Sequence, residues 1–149
     1  MTELRDRPAL ASTGSEGRGA RAAMLAALET AALDPSDIEY INLHGTGTPS
    51  NDEAESRAVA GVLGTEVPAS STKGATGHTL GAAGALEAVI CALALQHGLM
   101  PAGVNTTEVD PALATHYLLD NRSAPLTRVM SNSFGFGGSN CCLIFGRAG

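Results

Sequence analysis

The segment TLGAAGALEAVICALALQHG, residues 79–98, constrains the fold more than any other part of the chain. It reads as one long helix, stopped by Gly98 and then Pro101. Gly81, Ala82, Ala83, Gly84 and Ala85 leave almost no side chain on its first turns. A glycine costs about 1 kcal/mol against alanine in a helix interior. Two of them imply that a neighbour, either another backbone or a ligand, packs very close. Glu87 interrupts the apolar run and needs a partner if it is buried.

Around this helix the pattern alternates. RGARAAMLAALETAAL, residues 18–33, predicts a helix with Ala22, Leu25, Leu28, Ala32 and Leu33 near one face, broken by Pro35. IEYINLHG (38–45) and VPASSTK (67–73) suit short strands. NDEAESRAVAGVLG (51–64) predicts a helix capped by Asn51 or Asp52, with acids in its first turn and Gly64 as its stop. Residues 101–126 read as loop with extended pieces. TRVMSNSFG and SNCCLIFG close the chain as two β-rich runs around a glycine turn, a hairpin. Residues 1–16 have no periodicity and read as a loop or disordered N-terminus. The expected fold class is α/β, a mixed sheet flanked by helices and ending in a β-hairpin.

Composition removes several function classes. The chain has 149 residues, 44% of them hydrophobic, enough for one domain with a real core. Mean hydropathy of +0.08 argues against disorder. With aromatics at 3% and a net charge of −6, nothing suggests a nucleic-acid partner. Three cysteines do not make a disulfide framework, so a reducing, cytoplasmic setting is expected. The apolar run near 88–95 is too short to span a membrane, and the N-terminus has no secretory apolar region.

Chemistry-bearing residues collect in three places. His44 ends the first strand, where sites gather in α/β sheets. His78 lies in GATGHTLG, at the start of the Gly/Ala helix, and Lys73 follows the second strand. A lone histidine is more often structural, and a lysine between Thr72 and Gly74 could simply be a solvated charge. His97 and His116 lack such settings and read as structural or solvated. FGFGGSN, residues 134–140, could present backbone N–H groups to an anion or serve only as a turn that needs positive φ. No phosphate-binding or dinucleotide motif occurs. Cys141 and Cys142 are adjacent, alternate faces of a strand and cannot easily share a zinc ion, so no metal site is expected.

HGTGTPSNDEAE, SSTKGATGHTLGAAGALEA and SNSFGFGGSN together resemble the C-terminal signatures of the elongating β-ketoacyl-acyl-carrier-protein synthases. The resemblance covers about residues 17–149 and concerns the C-terminal half only. It implies a thiolase-like half-fold and a decarboxylative Claisen condensation of a malonyl thioester with an acyl thioester. It implies that His44 and His78 are the two active-site histidines, with Lys73 catalytic beside them and Glu87 supporting that network. It implies that Thr46 and Thr48 contact the phosphopantetheine arm. It also implies that Phe136, with Gly135 and Gly137, forms the oxyanion hole and gate. No cofactor is expected, since substrates ride on the phosphopantetheine of an acyl carrier protein. The implied partners are that carrier protein and an N-terminal half or partner chain bearing the nucleophilic cysteine, in a homo- or heterodimer. Cys91, Cys141 and Cys142 all read as small core residues, and none suits that nucleophile. Two alternatives stand beside this reading: a non-catalytic half-domain that binds a carrier protein or partner synthase, and a malonyl decarboxylase using the histidine pair alone.

Overall fold

The computed structural model describes residues 17–147. The loop expected over 1–16 lies outside them. Five strands form one sheet in the order β4-β2-β1-β6-β7. These are β1 (Tyr40–Asn42), β2 (Pro68–Ser70), β4 (His116–Tyr117), β6 (Arg128–Phe134) and β7 (Asn140–Gly146). β2, β1, β4 and β6 run parallel, and β7 returns antiparallel to β6, so the sheet is mixed and ends in the expected hairpin. β3 (Leu99–Met100) and β5 (Arg122–Ser123) pair separately. The helices are α1 (Arg18–Ala31), α2 (Pro49–Leu63), the short α3 (Lys73–Thr76) and α4 (Ala83–His97).

Strand alternation builds two cores from one sheet. Ile41, Met130 and Phe134 face one side, where Met24 and Leu28 of α1 and Val59 of α2 cover them. Tyr40 and Val129 face the other, against Cys91, Ala94 and Leu95 of α4. Each large apolar side chain buried this way contributes about 1.5–3 kcal/mol. The same alternation sends Asn132 toward α2 and Ser133 toward α4, which places two polar groups of one strand on opposite faces of the sheet.

Several expectations change. The buried stripe of α1 is Ala20, Met24 and Leu28, whereas Ala22, Leu25 and Ala32 are exposed. Alanine and leucine surround this helix, so packing rather than composition selects its inner face. α2 begins at Pro49 with Thr48 as the N-cap residue, not at Asn51 or Asp52. Proline's fixed φ suits the first helical position, and this draws the start forward. Gly81 is exposed with open space around it, so the close approach expected there does not occur. At Gly84 it does: a Cβ would sit 3.1 Å from the Ser133 hydroxyl oxygen. Cys141 is exposed rather than a core residue, because it alternates with the inward Cys142. The apolar stretch also runs further than 88–95. Residues Leu80–His97, 18 in all with mean hydropathy 1.5, are long and apolar enough to cross a membrane by length and composition. Cys91 and Leu95 nevertheless pack onto the sheet, as in a core helix.

Candidate active site

The site lies at the C-terminal ends of β1 and β2. β1 runs through Asn42 and delivers His44 just beyond its end, with the residue 4% exposed. β2 ends at Ser70 and delivers Lys73 at the start of α3. The chain then turns through Gly77 to His78, which is exposed. The two imidazole rings meet edge-on, with centroids 5.4 Å apart and planes at 85°. Phe134, at the end of β6, closes the other side of His44 with its ring 5.5 Å away. Residues from three separate segments therefore converge on one point.

Proton positions follow from the hydrogen bonds. The Leu80 N–H donates to His78 Nδ1 at 3.2 Å. That nitrogen is an acceptor, so the neutral His78 ring carries its proton on Nε2 and donates from there. His44 Nδ1 is buried without a hydrogen-bond partner among the described residues. Burial chiefly, then the charge of Lys73 and then His78, hold the His44 ring down from 6.5 to about 4. It is neutral at physiological pH.

Lys73 is not a solvated charge. Its side chain is 7% exposed and pairs directly with Glu87 of α4, itself 3% exposed. The other Glu87 oxygen accepts the Ser133 hydroxyl at 2.9 Å. This is the partner that a buried acid requires, and it ties α4, the Lys73 loop and β6 together.

Two further groups escape a sequence reading. Glu55 of α2 is fully buried, and its carboxylate accepts the backbone N–H groups of His44 at 2.9 Å and Gly45 at 2.8 Å. Asn132 Nδ2 adds a third bond at 3.1 Å. Burial pushes the Glu55 carboxyl up, and these bonds oppose it. Ser71 donates to the Gly45 carbonyl at 2.8 Å. One available signal for Glu55 was its place in the same helical stripe as Ala58 and Val59, an acid on an apolar face.

Thr46 and Thr48 lie on the turn after His44, their hydroxyls 2.9 Å apart. Gly135 precedes a single helical turn, Phe136–Gly138, in which Gly137 has φ of 78° and Gly138 of 83°. A side chain is strained at such angles. A cavity of about 590 Å³ opens beside His78, lined among others by Thr46, Lys73, Val104, Leu113 and Tyr117; His44 is not among its lining residues. His116 is placed elsewhere, with Nδ1 3.1 Å from the Glu66 carbonyl, and His97 is exposed at the end of α4. Burial raises the thiols of Cys91 and Cys142 to about 12, the opposite of an activated nucleophile. Among the described residues no group of histidine, cysteine and acids could hold a metal ion.

Comparison with known proteins agrees with this architecture. A family model described as beta-ketoacyl synthase, C-terminal domain, matches residues 5–107. The mitochondrial 3-oxoacyl-[acyl-carrier-protein] synthase of Arabidopsis thaliana is 44% identical, over 87% of this chain and 30% of its own length. Nodulation protein E of Rhizobium leguminosarum bv. trifolii is 41% identical, over 85% of this chain and 32% of its own. A ketosynthase (ApeO) solved in complex with its chain length factor (ApeC) from Xenorhabdus doucetiae superposes with a TM-score of 0.85 at 50% identity. That match covers 90% of this chain and 34% of the ketosynthase. The chain spans about a third of the length of these relatives. It belongs to the beta-ketoacyl synthase family, whose C-terminal domain it matches.

Proposed function

We propose that this chain supplies the histidine half of a β-ketoacyl synthase active site, in a reaction that condenses a malonyl thioester with an acyl thioester. The observation that carries the reading is the edge-on His44–His78 pair, set against the buried Lys73–Glu87 network. In the first step the bond between the malonyl α-carbon and its carboxylate breaks. CO₂ leaves, and the electron pair forms an enolate with its charge on the thioester oxygen. Neutral imidazole N–H donors aimed at that oxygen stabilise the charge as it develops. His78 is suited to this because its Nδ1 is occupied as an acceptor and its proton is on Nε2. His44 is suited because its ring stays uncharged well below neutral pH. The α-carbon then attacks the acyl thioester carbonyl, and the thiolate that held the acyl group departs.

In this reading Lys73 assists the pair, Glu87 holds Lys73, and Thr46 and Thr48 meet a phosphopantetheine arm. The backbone around Gly135, Phe136 and Gly137 forms an oxyanion hole, and Phe136 gates the acyl chain. The substrates arrive on an acyl carrier protein, and no further cofactor is invoked. The nucleophilic cysteine comes from an N-terminal half or partner chain, since the described cysteines have inert or merely exposed settings. The exposed apolar residues Val89 (56%) and Leu93 (46%) on α4 offer that partner a surface. Related solved structures support such partners for those proteins: one ketosynthase is held with a chain length factor, another with its acyl-carrier protein. A decarboxylase using the histidines alone needs no cysteine and remains the second reading. The setting proposed is cytoplasmic and reducing.

The test uses the full-length protein together with any partner chain. His44→Ala and His78→Ala should each slow CO₂ release from malonyl-carrier protein by about 100-fold, the cost of losing a donor to a developing oxyanion. Release that is unchanged in both variants would overturn the reading. CO₂ release without condensation, in a complex that contains the cysteine-bearing chain, would favour the decarboxylase.

A further inference from the structure

Resting on the two-histidine reading, we propose that Asn105 and Tyr117 are positioning residues that brace residues 71–78, the segment carrying Lys73 and His78. Both stand on the stretch of chain that follows β3. The Ser71 N–H donates to the Tyr117 hydroxyl oxygen at 3.3 Å. Asn105 Nδ2 donates to the Gly74 carbonyl at 2.9 Å. The two bonds span 46 and 31 positions of sequence, so they tie the segment to a distant part of the chain.

The segment needs such support. β2 ends at Ser70, and α3 has only four residues. A helix that short does not hold itself in water. Gly74 inside it weakens it further, and Gly77 follows with φ of 68°. Glu87 anchors the Lys73 side chain, but Gly74, Thr76 and His78 are exposed.

The backbone delivers both braces. Asn105 has φ of 62°, a left-handed conformation that asparagine tolerates better than most residues with a side chain. The Val104 carbonyl beside it lies so close to Gly74 that no Cβ fits there. On the other side, β4 pairs with β2 through Ala69↔Tyr117, two residues before Ser71. The Gly103 N–H donates to the Leu118 carbonyl at 3.0 Å, and a Cβ on Gly103 would collide with the Tyr117 hydroxyl. Glycine at position 103 is what admits the phenol. Asn105 and Tyr117 also line the cavity, so direct contact with substrate is the competing role. The two roles differ in kinetics. A displaced His78 slows the chemical step, where a misplacement of about 1 Å costs about 100-fold, whereas a lost substrate contact weakens binding.

The experiment measures malonyl decarboxylation by the full-length protein with any partner chain, alongside amide hydrogen exchange. Asn105→Asp keeps the size and the left-handed tolerance but cannot donate to a carbonyl at neutral pH. Asn105→Gly fits the same φ with no side chain, and Tyr117→Phe removes only the hydroxyl. Each should lower kcat by about tenfold while KM stays within about twofold. A kcat within about twofold of the parent in any of the three, or a loss carried mainly by KM, would overturn the proposal. Added to His78→Ala, none should produce a further proportional loss, because residues acting as a unit are non-additive. Multiplying effects would overturn it too. Tyr117→Phe decides the matter if an Asn105 variant fails to fold. In the parent, the Ser71 amide should exchange about 100-fold or more slower than a free amide, and it should lose that protection in Tyr117→Phe. Free exchange in the parent would refute the brace whatever the activity. Protected exchange with turnover indifferent to His78→Ala would refute the two-histidine reading while leaving the brace supported.

Discussion

The protonation of His44 can be tested directly. Its ring should take up a proton only near pH 4, held down from 6.5 first by burial, next by Lys73 and last by His78. Moving the midpoint that far corresponds to roughly 3 kcal/mol of preference for the neutral ring. The sign follows from linkage. The unfolded chain protonates this histidine below about pH 6.5 and the folded one does not until about pH 4. The contribution to stability is therefore complete above the unfolded midpoint and is lost as pH falls between these values. Bulk acid unfolding would blur it, because Glu55 has its carboxyl pushed up by burial and stabilises in the opposite direction as pH falls. The assay is thus residue-resolved: an NMR titration of ¹⁵N-labelled histidines, with His44 assigned through His44→Gln. A midpoint at or below about 4.5 is expected. Replacing the ion pair through Lys73→Met with Glu87→Gln should raise it but leave it below 6.5, since burial is the larger cause. A parent midpoint above 6 would refute the argument that His44 is a neutral donor kept so by its surroundings.

Other consequences can be checked by urea denaturation of the purified protein. Glu87→Ala strands Lys73, 7% exposed, and should cost about 3–5 kcal/mol, whereas Lys73→Met with Glu87→Leu should recover most of it. A loss below about 1 kcal/mol in the single variant would mean that the pair is solvated. Gly74→Ala would place a Cβ 1.9 Å from the Val104 carbonyl oxygen, forcing the loop away at about 1–3 kcal/mol and widening the cavity. Unchanged stability would show that the loop packs elsewhere. Met24→Ala removes a fully buried side chain between α1 and the sheet and should cost about 2–5 kcal/mol.

Much was legible in the chain because local chemistry and sequence distance coincide there. The Gly/Ala helix stops where Gly98 adopts φ of 60°. The terminal hairpin follows from two β-rich runs around glycines, as its register from Arg128↔Gly146 to Phe134↔Asn140 bears out. The motifs of His44 and His78 sit at strand and helix ends, as their flanking turns require. Glu87 could be flagged as buried because a lone acid in an apolar run has nowhere else to go.

Local residue patterns are enough to mark the main helices, the terminal hairpin and the side chains that carry chemistry, since these depend on residues close in the chain. Tertiary packing set the inner face of α1, because alanine and leucine surround that helix and contact with α2 and β7 makes the choice. It alone decided that Lys73 is paired rather than solvated, since its partner lies on a different helix. It alone joined Glu55 to His44 and Ser133 to Glu87, through the alternating faces of β6 and the parallel neighbours of β1. These bonds cross between elements far apart in sequence, and only a folded sheet brings their donors and acceptors within 3 Å.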